Sequence, residues 1–468
     1  MLKTEEWHRP DTRSGTASES RGARGFSAAL LCWFLLACGG GDNPVETDLR
    51  EATSPATPDT TGAVQRGILS VTVRADGEVA DALRTLGVAE GRVPRANVNI
   101  QRYGESSIRS ASTDSLGVVV FADVLPGRYR VTSLRMLSSD EVELVSGARE
   151  GWEGINALGG GETATVQIPA ATVEVKAVLS RRGSLVLSEI HDWSPAVDFG
   201  PALHYSQSRF VEVYNNADTT VYLDGKILAS ALWYVSEAGL QETSLDDCEE
   251  FERWRLDPEG IWSEWHLRFP GVGQEYALLP GHARVVAMQA IDHRAVAPAL
   301  SFPDLSQADF EVVGSGQDVD NPAVPNMEDV GLRPSVDALG RGFLSLEPAI
   351  MIVDRIELES LPVDELPLRE PDYRRFPGDA LLDLATLHYD PASADPDQRL
   401  CDRLVSETFD HQAALIMDSQ AGNSIHRKVL GTTPAGRHVL QRTRTSAVDL
   451  ERGPRTPGRV TVPGAPPR

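Results

Sequence analysis

The chain has 468 residues, with 44 Lys and Arg against 68 Asp and Glu, giving a formal charge of −24 at neutral pH. So acidic a molecule repels phosphate backbones, which argues against nucleic acid as a partner. A hydrophobic content of 41%, with 40 Gly and 30 Pro, suits packed cores of short strands joined by turns, and the lack of repeated long apolar runs excludes a polytopic membrane protein.

Near the N-terminus, Arg21 and Arg24 precede an apolar run from Phe26 to Ala37. That run is shorter than the ~20 residues needed to span a bilayer and has the length of a signal-peptide apolar core. It ends in Leu35-Leu36-Ala37-Cys38-Gly39, which resembles the bacterial lipobox, with Leu36 larger than the family's usual residue at that place. The resemblance implies removal of residues 1–37, lipidation of Cys38 and delivery to the bacterial cell envelope. Gly39 in second place implies the outer membrane by likeness to enterobacterial sorting, with the face left open. An ordinary signal peptide is the alternative. Anionic lipid repels the acidic body, so acyl chains are expected to supply the membrane anchor. With Cys32 cleaved and Cys38 acylated, Cys248 and Cys401 remain, either paired in an oxidising compartment or as two unrelated buried thiols.

Residues 38–65 are Gly, Asp, Thr, Ser, Pro and Ala with almost no large apolar side chain, and read as a flexible tether with a reach of about 28 Å. From residue 66 to 181 the pattern alternates as in strands, at Ile68–Arg74, Ala96–Gln101, Val118–Phe121, Tyr129–Val131, Thr165–Ile168 and Val173–Val178. Within it, Thr113-Asp114-Ser115-Leu116-Gly117 and Leu125-Pro126-Gly127-Arg128-Tyr129 resemble the carboxypeptidase regulatory-like module, a β-sandwich. Gly117 and Gly127 fit turn positions that need positive φ.

Residues 182–452 carry three further pieces: Ser188-Glu189-Ile190, Phe210-Val211-Glu212-Val213-Tyr214-Asn215 and Val221-Tyr222-Leu223-Asp224-Gly225. They resemble the lamin-tail domain, an immunoglobulin-like sandwich, as do Leu279-Pro280-Gly281 and the closing Arg437–Gln441. The whole order is similar to an uncharacterised family of bacterial lipoproteins: lipobox, regulatory-like sandwich, expanded lamin-tail-like domain. Arg442 and Arg444 stand where that family's last turn is expected to hold Asp and Asn. The expected fold is therefore all-β, with two β-sandwich domains. Insertions are expected at about 241–275 and 314–400, with a short helix at Asp379–Ala385, and a disordered tail at 453–468.

Signatures of zinc proteases, P-loop enzymes and α/β-hydrolases are missing. Asp318, Asp320, Asn321 and Asp329 alternate oxygen-bearing side chains in a loop, a pattern that suits Ca²⁺, although the Gly and Glu of an EF-hand are missing. A solvated acidic loop is the plainer reading, and no other cofactor is suggested. Trp254, Trp262 and Trp265 are candidates for a sugar-stacking platform or for core. The expected function is a lipid-anchored, non-catalytic envelope binding protein, accessory to an outer-membrane transporter or an assembly system. A structural or adhesion scaffold is the alternative, and a cryptic secreted hydrolase the third reading.

Overall fold

The computed structural model describes residues 65–458 apart from 76, 147–154, 192–195, 198–202, 205–206, 232–251, 296–301, 313–318, 332–348, 365–372, 390–404, 417–422 and 434. The fold is built mostly of β-strands arranged in several sheets. Cys38, Asp318, Cys248 and Cys401 lie outside the described residues.

The first sandwich is one path of seven strands. Its strand Gly67–Ala75 alternates buried and outward residues, placing Leu69, Val71 and Val73 in the core, and pairs in parallel with Ala170–Arg181. The path bends back on itself. Arg109, in the strand at one end, donates to Ala122 O at 2.8 Å in the strand at the other end and lies over the Phe121 ring. Gly117 has φ +70°, and a Cβ there would sit 2.9 Å from Val93 N, so no other residue fits the turn. The Tyr129 hydroxyl donates to Leu125 O at 2.9 Å, which closes the Leu-Pro-Gly-Arg-Tyr turn onto itself.

The second sandwich is a sheet of 14 strands, twelve along one path and two branching from it, whose two halves face each other. Leu187 and Ile190, Val211 and Val213 from one half meet Leu228, Ile350, Ile352 and Leu387 from the other in a common core. The strands Ile227–Ala231 and Ala349–Val353 are buried throughout, because alternate residues serve two layers: Ile350 and Ile352 face the central core, Met351 and Val353 a second cluster with Phe376 and Phe409.

Three expectations are corrected here. Asp379–Ala385 is not a helix: a 3₁₀ turn at Gly378–Ala380 leads into the strand Leu381–Tyr389. Its apolar residues must reach two opposite layers, Leu384 one and Ala385 and Leu387 the other, which only a strand allows. Segments expected as insertions carry strands of the sheet itself, at Gly260–Arg268, Asn326–Asp329, Ala349–Val353 and Tyr373–Pro377. Gly453 and Pro454, expected in the tail, complete the strand Leu450–Pro454 paired to Asn423–Arg427, and Thr456 N and Gly458 N are hydrogen-bonded to the second sandwich.

The two sandwiches dock through Gly159-Gly160-Gly161. A Cβ on Gly159 would lie 2.5 Å from Thr443 Cβ, and one on Gly161 2.8 Å from Gln412 Cβ. Across this seam Ser180 Oγ donates to Arg442 O at 2.8 Å, and Gln412 Nε2 donates to Glu162 O at 3.2 Å.

Candidate functional site

The sheet that carries Asp383 forms one wall of a recess of about 300 Å³. Asp383 sits among leucines on the strand Leu381–Tyr389 with 1% exposure, so its charge requires partners inside the protein. It has three. Arg427 Nη2 donates to Oδ2 at 2.6 Å, Leu187 N donates to Oδ2 at 2.8 Å, and Arg442 Nε donates to Oδ1 at 3.1 Å. Arg427 in turn donates to Leu187 O at 2.9 Å and Gln441 O at 3.0 Å, and lies 3.5 Å from Asp449. Asp449 accepts from Thr443 N at 2.7 Å, Thr443 Oγ1 at 2.8 Å and Gln441 Nε2 at 3.1 Å. Burial raises its pKa, with Arg427 opposing.

Above this base the recess is lined by Leu381, Leu384 and the Phe409 ring, with exposed Glu259, Asp379 and Arg444 at its mouth. Arg444 occupies the left-handed region at φ 55°, and its guanidinium lies 3.5 Å from Thr408 O. Beside the recess, buried Asp410 accepts from Thr386 Oγ1 at 2.6 Å, from Ser446 N at 3.0 Å and from Ser446 Oγ. Burial pushes this carboxyl up to about 7. The polar turn expected of Asp and Asn at 442 and 444 is thus built instead by Asp449 and Asp410. Arg442 is recruited to the Asp383 base.

On the far face of the second sandwich, the two motif glutamates are opposed across neighbouring strands, Glu212 facing Glu189. Glu212 accepts from Ser188 Oγ at 2.7 Å and from Gly458 N at 2.7 Å. Glu189 accepts from Thr456 N at 2.8 Å, from Thr456 Oγ1 at 3.1 Å and from Ser424 Oγ. Burial, with the Glu189 charge second, pushes the Glu212 carboxyl up to about 8. The two motif glutamates therefore clamp the turn that carries Thr456 and Gly458. The asparagines of the same motif act likewise: Asn215 Nδ2 donates to Thr219 O and Leu278 O, both at 2.8 Å, and Asn216 Nδ2 to Arg182 O at 2.8 Å.

The remaining sequence candidates are scattered. Trp254 is buried, and its Nε1 donates to Asp364 Oδ2 at 2.8 Å. Half-buried Trp262 donates to Asp257 Oδ2 at 3.1 Å, a carboxylate shared with Arg375. Trp265 is half-buried on the same strand, and none of the three lines the recess. Asn321 turns its amide inward to Ala290 O at 2.9 Å while its Oδ1 accepts from Ala323 N at 3.2 Å. Asp320 accepts from Asn326 Nδ2 at 3.2 Å, and Asp329 from Gly331 N at 3.0 Å. Each of these oxygens accepts a hydrogen bond within its own loop. Among the described residues no group of three or more His, Cys, Asp or Glu is arranged to hold a metal ion.

No family model and no curated protein matches the chain. Among solved structures, it is similar to a DUF4876 family protein from Bacteroides thetaiotaomicron, at 17% identity and TM-score 0.46, over 82% of this chain and 94% of that one. A proposed carbohydrate binding protein from Pseudomonas aeruginosa aligns at 15% identity and TM-score 0.16, over 26% of this chain and 98% of that one. A proposed cell adhesion protein from Bacteroides eggerthii aligns at 9% identity and TM-score 0.15, over 69% and 78% of the two chains.

Sequence reasoning missed Asp383, Phe409, Arg427 and Asp449. One signal was present: an Asp inside the apolar run Leu381-Leu-Asp-Leu-Ala385 needs a buried partner in any regular structure.

Proposed function

We propose that this chain is a lipid-anchored, non-catalytic binding protein of the bacterial cell envelope. Acylated Cys38 would hold it at the outer membrane, and the recess over Asp383 would take a small polar ligand for an outer-membrane transporter or an assembly partner. The observation that carries the proposal is the recess itself. An apolar wall of Leu381, Leu384 and Phe409 faces charged groups at the mouth, over a base fixed by buried ion pairs. Such a base cannot rearrange cheaply, so the cavity is preorganised for a ligand. Its carboxylates are occupied: Asp383 and Asp449 already accept three hydrogen bonds each, which suits holding a shape better than moving a proton. The reading calls for no cofactor.

The test is in-cell crosslinking from a photoreactive residue at the exposed position of Asp379, in the full-length chain, with mass spectrometry of the adducts. A transporter or a small-molecule adduct that disappears with Phe409→Ala supports the reading. Adducts confined to envelope matrix components, unchanged by Phe409→Ala, would establish the scaffold reading in its place. Cys38→Ser tests the anchor separately: the protein should move from the membrane to the soluble fraction and lose its acyl mass.

A further inference from the structure

The first sandwich has a recess of its own, of about 410 Å³, with different chemistry. It opens where Arg95 and Asn97, at the start of the strand Asn97–Arg102, meet the end of the strand Gly127–Met136 and the Ser138 turn that follows it. Asn97 and Leu134 are direct cross-strand partners, which fixes the two sides of the recess in register.

Arg135 lines this recess with only 5% exposure. Its Nη2 pairs with Glu141, whose second oxygen accepts the Ser138 backbone N–H at 2.9 Å. Its Nη1 is buried and has no hydrogen-bond partner. A guanidinium nitrogen withdrawn from water and left unanswered is costly. The second cation is Arg95, exposed at the mouth, for which the structure gives no ion pair among the described residues. It adopts φ +60°, a conformation that non-glycine residues seldom take. Two guanidiniums therefore face the recess against a single carboxylate that is already engaged, which leaves one positive charge in an otherwise acidic molecule. Burial depresses the Arg135 pKa, the Glu141 charge opposes the fall, and the like charge of Arg95 adds to it.

We propose that this recess binds the oxyanion of a small polar ligand, a carboxylate, sulfate or phosphate group, between Arg135 and Arg95. Guanidinium donors match the planar or tetrahedral oxygens of such groups and hold them by charge-assisted hydrogen bonds. Asn97 and Ser138 add polar groups at its edge, while Leu134 and Met136 exclude water from one side. The volume exceeds that of the ion alone, so the oxyanion is a handle on a larger molecule of sugar or amino-acid size. The overall charge of −24 gives no long-range attraction, so recognition rests on these short contacts.

The test is calorimetric titration of the full-length chain with sulfate, inorganic phosphate and glucuronate, each at ionic strength matched with sodium chloride. Saturable binding of at least one is expected. Sulfate or phosphate as the tightest probe would indicate an ester ligand, and glucuronate a sugar acid. Arg95→Gln removes one charge-assisted contact from an exposed position and should weaken binding at least about tenfold. Arg135→Lys keeps a cation beside Glu141 but loses the fork, and should weaken binding likewise, whereas Phe409→Ala in the other recess should not. No saturation up to about 10 mM, where a millimolar site would be nearly full, overturns the proposal. So does binding that Arg95→Gln and Arg135→Lys leave unchanged.

Discussion

Replacing Glu212 by Gln should flatten the pH dependence of stability. The carboxyl is fully buried opposite Glu189, and its pKa rises from 4.5 to about 8. Below the ordinary glutamate range it is protonated folded or unfolded and contributes no pH dependence. Between pH 4.5 and 8 the folded chain keeps a proton that the unfolded chain has released, so stability falls as pH rises. Above about 8 the full penalty is in place. At about 1.4 kcal/mol per pH unit, the span is worth on the order of 4–5 kcal/mol, an upper figure because relaxation around the charge reduces it. Gln presents the donor pattern of the protonated acid. Ser188 Oγ can accept from the amide and turn its own proton to the Glu212 backbone oxygen, 3.2 Å away, while Gly458 N–H keeps an acceptor. Buried Asp410, raised to about 7, has the same sign, and buried His191, lowered mainly by burial and then by Arg455 and Arg209, the opposite one. Both cancel in the difference between wild type and variant. The assay is urea unfolding followed by tryptophan fluorescence from pH 5 to 9. The variant should match wild type near pH 5 and exceed it by a few kcal/mol at pH 9. Parallel profiles would show that Glu212 is not the proton store.

Removing Arg427 as Arg427→Leu strips the charge from above Asp383 and should cost about 3–5 kcal/mol, with the Asp383→Asn/Arg427→Leu pair recovering part of it in the same unfolding assay. Gly159→Ala places a methyl 2.5 Å from Thr443 Cβ; it should destabilise by roughly 1–3 kcal/mol and raise amide exchange along Thr443–Asp449, which a fault confined to the first sandwich would not do. Trp254→Phe leaves Asp364 without its indole donor and should cost about 1 kcal/mol, without altering ligand adducts from position 379. Adding millimolar calcium to chelator-treated protein should leave the melting temperature unchanged, and a rise of several degrees would revive a site around Asp320.

Turn chemistry and strand alternation were legible because they are local. Gly117 and the Leu125–Tyr129 turn behave as their residue types demand, and Leu69, Val71 and Val73 face inward as the alternation requires. The segment Asp379–Ala385 failed for a physical reason. Leu-Leu-Asp-Leu-Ala has good helix formers and no β-branched residue, so propensity favours a helix, but the strand Ala349–Val353 beside it and a core on each side decide otherwise. The expected insertions failed for a related reason. Strands inside them are recognisable only through partners elsewhere in the chain, as when Ile227–Ala231 pairs with Ala349–Val353 more than a hundred residues on.

The recess over Asp383 was hidden for a deeper reason: its parts come from four distant stretches, and its charges make sense only together. Arg442 alone looks like a departure from a motif, and Asp383 alone like a fault in a helix. Brought within 3.1 Å, each explains the other. The motif glutamates carry the converse lesson. Glu189 and Glu212 are buried motif acids whose oxygens receive Thr456 and Gly458 from the segment after the strand Leu450–Pro454. Motif residues that hold a fold and residues that meet a ligand can therefore be separated here by one criterion, whether the polar atoms are already answered inside the protein. By that criterion the glutamate pair and the Asp383 base are framework. Arg135 keeps one buried nitrogen without a partner and lines a recess beside exposed Arg95, and there a ligand from outside has charge to answer.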